Sequence, residues 1–450
     1  MRKICVLLAI IMLVAFTISG CNRTVDYVII GGNQYSTSLT YLNLSEMGLQ
    51  DEDIASLRYM RNLTRLILSN NEITDLTPLS RLTSLTTLIL NNNQISDISS
   101  LSRLTSLTTL ILIDNKINNV TPLSRLTNLE SLHLSSNEIS DIVPLSALIN
   151  LTSLRLDGNQ ISDITLLSGF SNLTYLRLNG SNISDITPLF TLTDLIHLSL
   201  DDNNISDITT LSNISNLEVL NLRNNQISDI TPLTNLVSLT LLSLSSNKIN
   251  DVTALANHRY LRWLQLNNNQ ISDISPLVNL TNLATLNLHF NYIRDLSPIS
   301  YLINLRELRL SDNQINDLTQ LSKLTNLERL HLSNNEINDI TPLYELTKLT
   351  DLRLGNNQIN DITLLSKFTK LTELTLNDNQ ISDITPLSGF TEFIELRLSN
   401  NQISDIEPLS KLENIVPFIN WNVQMTLCLE DNLITDWSPI EHLWDVYGRP

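Results

Sequence analysis

The sequence repeats itself every 22 residues, and this period constrains the fold more than any other feature. Sixteen units follow one another without an insertion from Leu63 to Asn414, each with the pattern LxxLxLxxNxIxDIxxLxxLxx. Positions 4, 6 and 11 are Leu, Leu and Ile in all sixteen units, while Asn at position 9 and Asp at position 13 occur in fifteen. Such a period is typical of a repeat architecture, in which each unit buries its apolar face against its neighbours.

The spacing within a unit predicts one short strand and one helical turn. Leucines at positions 4 and 6 alternate with polar residues, which predicts a strand with one inward face. Asn at position 9, as in Asn93, follows the strand, where its amide can donate to and accept from buried backbone groups. Position 15 is Ser or Thr in fourteen units, often before Pro, as in Thr77-Pro78. We therefore predict a Ser/Thr N-cap that starts a 3₁₀ or one-turn helix.

Both ends of the array depart from the repeat. Residues 25–38 predict a β-type N-terminal cap, with a strand over Val25–Ile30 and a turn at Gly31-Gly32. Leu39–Asn62 is a 24-residue first unit, and the repeats then run to residue 414. Residues 415–450 hold about nine extra residues and a partial last unit. The aromatic residues of this tail are predicted to close the end of the core; they are Phe418, Trp421, Trp437, Trp444 and Tyr447.

Residues 1–20 have the features of a secretory signal. Arg2 and Lys3 precede an apolar run from Ile4 to Phe16, and small residues precede Cys21. The segment Ile18-Ser19-Gly20-Cys21 resembles a bacterial lipobox, which implies acylation of Cys21 as the mature N-terminus. The alternative is an uncleaved anchor, since about 17 residues is the lower limit for spanning a bilayer. Both interpretations predict export and attachment to a lipid bilayer.

The repeat resembles the 22-residue units of the internalin-type bacterial leucine-rich repeat proteins, through L-x-L-x-x-N-x-I-x-D-I-x-P-L as in Leu220–Leu233. The resemblance implies an α/β fold: a right-handed solenoid with a concave parallel β-sheet and short 3₁₀ or helical turns on the convex side. It also implies that the concave sheet binds other proteins, often host receptors. The sequence has neither a recognisable cell-wall sorting motif nor an adjacent immunoglobulin-like domain, so a role in host invasion is not implied.

Composition and motifs argue against several other functions. The net charge of -18 argues against nucleic acid as a partner, because phosphate binding needs a basic face. The six histidines are scattered, and there is no nucleophile elbow or P-loop, so we predict neither an enzyme nor a cofactor. The Asp column could form a cation ladder. However, each Asp lies between two apolar positions without the expected glycines, so we predict a turn acceptor and no metal.

The variable positions of the strands carry the candidate binding site. Strands about 4.8 Å apart make equal positions of successive units lateral neighbours. Exposed apolar side chains beside polar ones mark binding surfaces, and Trp, Tyr and Arg are enriched at their centres. The candidate ligand-binding residues are Ile67, Ile89 and Ile111; Tyr175, His197, Val219, Leu241 and Trp263; and Arg155, Arg177, Arg309 and Arg353. Sequence drift on a solvent face, or lateral ion pairs for the arginines, would explain the same residues.

We therefore predict a membrane-tethered, extracytoplasmic protein that binds another protein through its concave sheet. Two alternatives remain open. One is an envelope scaffold without a single ligand. The other is a carbohydrate or peptidoglycan binder, in which Tyr175 and Trp263 would form the aromatic platform.

Overall fold

A computed structural model describes residues 26–391, 393–412, 426–443 and 446–449 of the chain. The chain forms two compact units, Met1–Asn128 and Leu129–Pro450. The signal segment, Cys21, Phe418, Trp421 and Trp444 lie outside the described residues. No helix in the described ranges is long and apolar enough to cross a membrane.

The first unit begins with an antiparallel hairpin and continues with a parallel sheet. The hairpin strands are β1 (Tyr27–Ile30) and β2 (Asn33–Ser36), and both glycines of the turn have positive φ, as predicted for Gly31-Gly32. The sheet strands are β3 (Tyr41–Asn43), β4 (Arg65–Ile67), β5 (Thr87–Ile89) and β6 (Thr109–Ile111). The helical segments are α1 (Asp51–Ile54) and the 3₁₀ turns Ala55–Tyr59, Thr77–Leu79, Ser99–Arg103 and Thr121–Arg125. The 24-residue first repeat therefore carries a longer helical segment than the repeats after it.

The second unit alternates short strands with 3₁₀ turns. Its strands are β7 (Ser131–His133), β8 (Ser153–Arg155), β9 (Tyr175–Arg177), β10 (His197–Ser199), β11 (Val219–Asn221), β12 (Leu241–Ser243), β13 (Trp263–Gln265), β14 (Thr285–Asn287), β15 (Glu307–Arg309), β16 (Arg329–His331), β17 (Asp351–Arg353), β18 (Glu373–Thr375), β19 (Glu395–Arg397), β20 (Thr426–Cys428) and β21 (Val446–Tyr447). Its 3₁₀ turns are Val143–Leu145, Thr165–Gly169, Thr187–Thr191, Thr209–Asn213, Thr231–Leu233, Thr253–Leu255, Ser275–Asn279, Ser297–Tyr301, Thr319–Lys323, Thr341–Leu343, Thr363–Lys367, Thr385–Leu387, Glu407–Leu409 and Ser438–Ile440.

Strand pairing follows the sequence period. Leu198 pairs with Leu220 and Leu220 with Leu242, so equal repeat positions are lateral neighbours. The strand leucines are fully buried, together with the position-11 isoleucines and most leucines of the 3₁₀ side. The predicted α/β leucine-rich repeat architecture, with a parallel sheet on one side and 3₁₀ turns on the other, is confirmed.

The position-9 asparagines bond to buried backbone groups as predicted, and these bonds form a ladder between repeats. Asn93 Nδ2 donates to the carbonyl oxygens of Leu68 and Leu90, both at 3.0 Å. Its Oδ1 accepts the amide of Ile73 in the preceding repeat at 3.1 Å. Each asparagine thus satisfies backbone groups of two successive repeats that would otherwise be buried without a partner.

The 3₁₀ turns start differently from the sequence prediction. Thr77 is the first residue of its turn and its side chain makes no capping bond, so the predicted Ser/Thr N-cap is wrong. The carboxylate of Asp75 caps the turn instead, since its Oδ1 accepts a hydrogen bond from the amide of Thr77 at 2.8 Å. At Asp207, hydrogen bonds from the Thr209 hydroxyl and amide lower the carboxyl pKa. The prediction that the Asp column accepts backbone N–H bonds in the turn is therefore confirmed.

One histidine takes a core position of the repeat, and the aromatic residues of the tail differ in burial. His258 replaces the usual apolar residue at position 20 and is fully buried, with Nε2 3.1 Å from the Leu233 carbonyl oxygen. Burial lowers the pKa of His258, so its imidazole is neutral at neutral pH. In the tail, Trp437 is partly buried, but Tyr447 is 53% exposed on β21. The prediction that Tyr447 helps to close the core is therefore wrong.

Candidate functional site

The candidate site lies on what we call the sheet face, formed by the first and third residues of each strand. Strands β9 to β13 of the second unit place one predicted row in direct lateral register. The row consists of Tyr175, His197, Val219, Leu241 and Trp263. The strand leucines point into the core, so the five side chains of the row lie on the opposite face of the sheet. Each of the five is partly buried there. The structure therefore brings this predicted row together on one surface.

A cation, a phenol and an imidazole stack at one end of the row. The rings of Tyr175 and His197 lie 4.3 Å apart between centroids, at an interplanar angle of 11°. The guanidinium of Arg155 lies 4.7 Å from the centroid of the Tyr175 ring. Arg155 Nε and His197 Nε2 are buried atoms without a hydrogen-bond partner in the described part of the chain. As unsatisfied polar atoms closed to water, the two nitrogens lower the stability of the free protein.

The charges around this stack keep both nearby histidines neutral. Burial, with the positive charges of Arg177 and Arg155, lowers the pKa of His197. Burial and the charge of Arg155 lower the pKa of His133 to about 4. Arg177 is held by Asp157 at 3.2 Å; burial acts to lower the pKa of Arg177, but this ion pair raises it. Arg155, by contrast, has no ion pair within the described residues.

The two remaining predicted arginines are engaged in ion pairs. Arg309 Nε lies 2.6 Å from a carboxylate oxygen of Glu307. Arg353 bonds to Asp351 at 3.1 Å and to Glu373 at 3.0 Å, on neighbouring strands. Burial acts to raise the pKa of Asp351, but hydrogen bonds from His331 and Arg353 outweigh it and lower the pKa. Arg309 and Arg353 are therefore less available to an external ligand than Arg155.

The predicted isoleucine row belongs to the first unit. Ile67, Ile89 and Ile111 are lateral neighbours on β4, β5 and β6, and each side chain is partly buried. The row is therefore a small apolar strip on the sheet face of that unit.

Sequence reasoning missed the diagonal contacts of the sheet face. Arg177 binds Asp157, and His331 binds Asp351, each across a separation of 20 residues rather than 22. In both cases a side chain meets the residue of the following repeat that lies two positions before its own register partner. Applying this offset to the sequence would have joined Arg155 to Tyr175, which lie 20 residues apart.

The described residues contain no cluster of side chains that would support a metal site. Among the described residues, no group of three or more His, Cys, Asp or Glu side chains is placed to hold a metal ion. The Asp side chains of the column are individually engaged with the turn that follows each of them.

These features define a repeat scaffold with a side-chain-lined sheet face, which is the architecture of a leucine-rich repeat protein. Family models described as leucine rich repeats match residues 61–103, 83–125, 127–169, 215–257, 261–301, 303–345 and 347–389. The chain therefore belongs to the leucine-rich repeat family. Scaffolds of this family are typically non-enzymatic and mediate recognition between proteins.

Several solved structures are similar to this chain. An internalin (InlF) from Listeria monocytogenes is 33% identical, with 80% of this chain and 88% of that chain covered and a TM-score of 0.49. The Leptospira interrogans LRR protein LIC12759 is 26% identical, with 84% and 95% covered and a TM-score of 0.66. The plant peptide hormone receptor RGFR1, solved in complex with RGF2, is 23% identical, with 89% and 71% covered and a TM-score of 0.70, and shares the fold alone. No curated protein matches the chain.

Proposed function

We propose that this protein is exported, tethered to a membrane, and binds another protein through the sheet face of its second unit. The observation that carries the proposal is the Arg155–Tyr175–His197 stack, whose arginine has no ion pair among the described residues. Tyr and Arg are the residue types that dominate the energetic centres of protein interfaces. A partner that places a carboxylate against the guanidinium of Arg155 would neutralise its unpaired charge.

The rest of the row extends this surface. Val219 and Leu241 continue from His197 toward Trp263, so the five side chains span four strand spacings, about 19 Å. A row with apolar and aromatic members beside a polar group resembles the centre and rim of a protein interface. We place Arg177, which is paired with Asp157, beside this centre on β9. Arg309 and Arg353, which are also paired, lie farther along the sheet on β15 and β17 and are assigned to its periphery. The strip of Ile67, Ile89 and Ile111 is a separate candidate contact on the first unit.

Loss of the stack should weaken partner binding while the fold is kept. We expect Arg155→Ala and Tyr175→Ala each to weaken binding of the partner by about tenfold or more, as for interface centres. The partner is first captured from envelope extracts and host lysates on immobilised protein, then purified and titrated by calorimetry. Circular dichroism checks that each variant is folded.

Matched controls lie away from the sheet face. Tyr301 and Arg259 are exposed residues in or near 3₁₀ turns, so Tyr301→Ala and Arg259→Ala should bind like the unmodified protein. If the two stack variants also retain every captured protein at unchanged affinity, binding through this surface is excluded and the scaffold alternative gains support.

The proposed attachment to a membrane is based on the N-terminal sequence. We propose that Cys21 is acylated and that Asn22–Thr24, with a reach of about 10 Å, holds the N-terminal cap close to the bilayer. Cys21→Ser should abolish incorporation of labelled palmitate and leave a precursor of unprocessed mass. Cys5→Ser, within the signal segment, is the control and should leave both unchanged. If Cys21→Ser keeps the label and the processed mass, Cys21 is not the site of attachment.

A further inference from the structure

A shallow polar depression surrounds Trp263, at the opposite end of the row from Tyr175. Its volume is about 420 Å³, and its lining includes Trp263, Gln265, Ser243, Asn267 and Arg223. The indole is its one large apolar side chain, and the other lining residues are hydroxyl, amide or guanidinium groups. The depression lies four strands, about 19 Å, from the stack at Tyr175. It is therefore a site in its own right.

Hydrogen bonds within the protein fix which way one amide of the lining points. The backbone amide of His289 donates to Asn287 Oδ1 at 3.1 Å, so Asn287 presents its Nδ2 to its other neighbour. That Nδ2 donates to Gln265 Oε1 at 2.8 Å. This bond fixes the orientation of the Gln265 amide and engages one lone pair of its carbonyl oxygen, so both N–H groups of Gln265 remain as donors.

A second amide is oriented in the same sense. The Ser245 hydroxyl donates to Asn267 Oδ1 at 2.6 Å, which leaves the Asn267 N–H₂ as the outward group. Arg223 adds a cation: its backbone amide donates to Asp201 at 2.7 Å, while its guanidinium is 3.9 Å from Asp202 and its side chain is 60% exposed. The depression therefore presents amide and guanidinium donors, together with serine hydroxyls, around an aromatic ring.

This combination selects the chemistry of the ligand. An indole packs against the C–H face of a sugar ring, while a few placed polar groups fix the ring substituents. Donors require substituents that accept, and the strongest acceptors on sugars are acetamido carbonyls and carboxylates, the latter matched to arginine. We propose that the Trp263 depression binds an N-acetylated or carboxylated sugar unit of a glycan. This is a further binding function, which shares Trp263 with the row described above and does not depend on the Arg155–Tyr175–His197 stack.

A protein side chain fits the depression less well. The anchors of protein interfaces fill well-packed pockets, and here a single indole supplies the large apolar surface. An acidic side chain could reach Arg223, but it would leave the indole and the Gln265 amide without contacts. The saccharide uses all three groups together.

Three oligosaccharides, titrated against the protein by calorimetry and tryptophan fluorescence, show which sugar substituent the depression binds. They are N-acetylchitotetraose, with acetamido acceptors; trigalacturonate, with carboxylates; and cellotetraose, with hydroxyls alone. We expect at least one of the first two to bind about tenfold or more tightly than cellotetraose. Arg223→Ala should weaken trigalacturonate more than N-acetylchitotetraose, which distinguishes the two acceptor groups.

Two variants test the site itself. Trp263→Ala should remove binding, and Gln265→Glu should weaken N-acetylchitotetraose about tenfold because it replaces two donors with an acceptor at nearly constant shape. Gln270→Glu, an exposed position of the same repeat, and Tyr175→Ala, in the protein-binding stack, should leave sugar binding unchanged. Equal binding of all three sugars, no binding at millimolar concentration, or full binding by Trp263→Ala would overturn the proposal. Loss of a protein partner in Trp263→Ala without any sugar binding would assign the depression to the protein interface instead.

Discussion

Replacing Asn225 with alanine is expected to lower the free energy of unfolding by about 3 kcal/mol, the largest effect that we expect from one polar substitution. Asn225 Nδ2 donates to the carbonyl oxygens of Leu200, Leu222 and Arg223 at 3.0–3.2 Å. Its Oδ1 accepts the amide of Ile205 at 3.0 Å. Asn225→Ala removes all four bonds from a site with little access to water.

The four lost bonds do not contribute equally. Leu200 O keeps a donor from Asn203, and Leu222 O keeps one from Asn247, because successive asparagines share these carbonyl oxygens. Only the amide of Ile205 loses its sole partner, and Ile205 is fully buried. An unsatisfied buried N–H costs about 1–3 kcal/mol, so this amide accounts for much of the expected effect.

Two measurements check this expectation. Urea unfolding gives the overall change, and native-state hydrogen exchange should show reduced protection of the Ile205 amide and its neighbours, because a repeat array opens locally. Asn204→Ala is the matched control: the side chain is exposed, and the change in stability should stay within about 0.5 kcal/mol. Equal effects of the two substitutions would contradict the ladder as a source of stability.

The fold followed from the sequence because its determinants recur at a fixed spacing. Leu198, Leu220 and Leu242 are buried at one strand position, so each repeat tests the same assignment independently. The turn start was mistaken where two residue types share the same local chemistry. Asp75 and Thr77 can each accept a backbone N–H, and the backbone geometry that favours the carboxylate is not visible in the pattern.

The site was less predictable, because it depends on contacts that differ from repeat to repeat. The sequence placed Tyr175 and Trp263 in one row, but it did not reveal the unpartnered Arg155 Nε or the orientation of the Gln265 amide. Both follow from where neighbouring side chains direct their hydrogen bonds. The pairing of Arg353 with Asp351 likewise turned a candidate ligand contact into an intramolecular one.

The ladder has one natural gap, and filling it should stabilise the protein. Ser181 occupies the asparagine position of its repeat and is fully buried; its hydroxyl has only a 3.4 Å contact with the Asn179 carbonyl oxygen. In the regular pattern an asparagine there would accept the amide of Ile161, as Asn203 accepts that of Ile183. The Ile161 amide has no acceptor in the described part of the chain, and Ile161 is fully buried.

Ser181→Asn should therefore raise the free energy of unfolding by about 2 kcal/mol, chiefly by satisfying that amide. The backbone already suits the change. Ser181→Asn would follow Gly180 just as Asn159 follows Gly158 in the preceding repeat, and both glycines have positive φ. Hydrogen exchange at the Ile161 amide should slow together with the gain in urea stability, whereas Ser184→Asn, at an exposed position, should change neither. A stabilised protein with an unprotected Ile161 amide would mean that the gain comes from another contact, and no gain at all would show that this repeat already satisfies its backbone by other means.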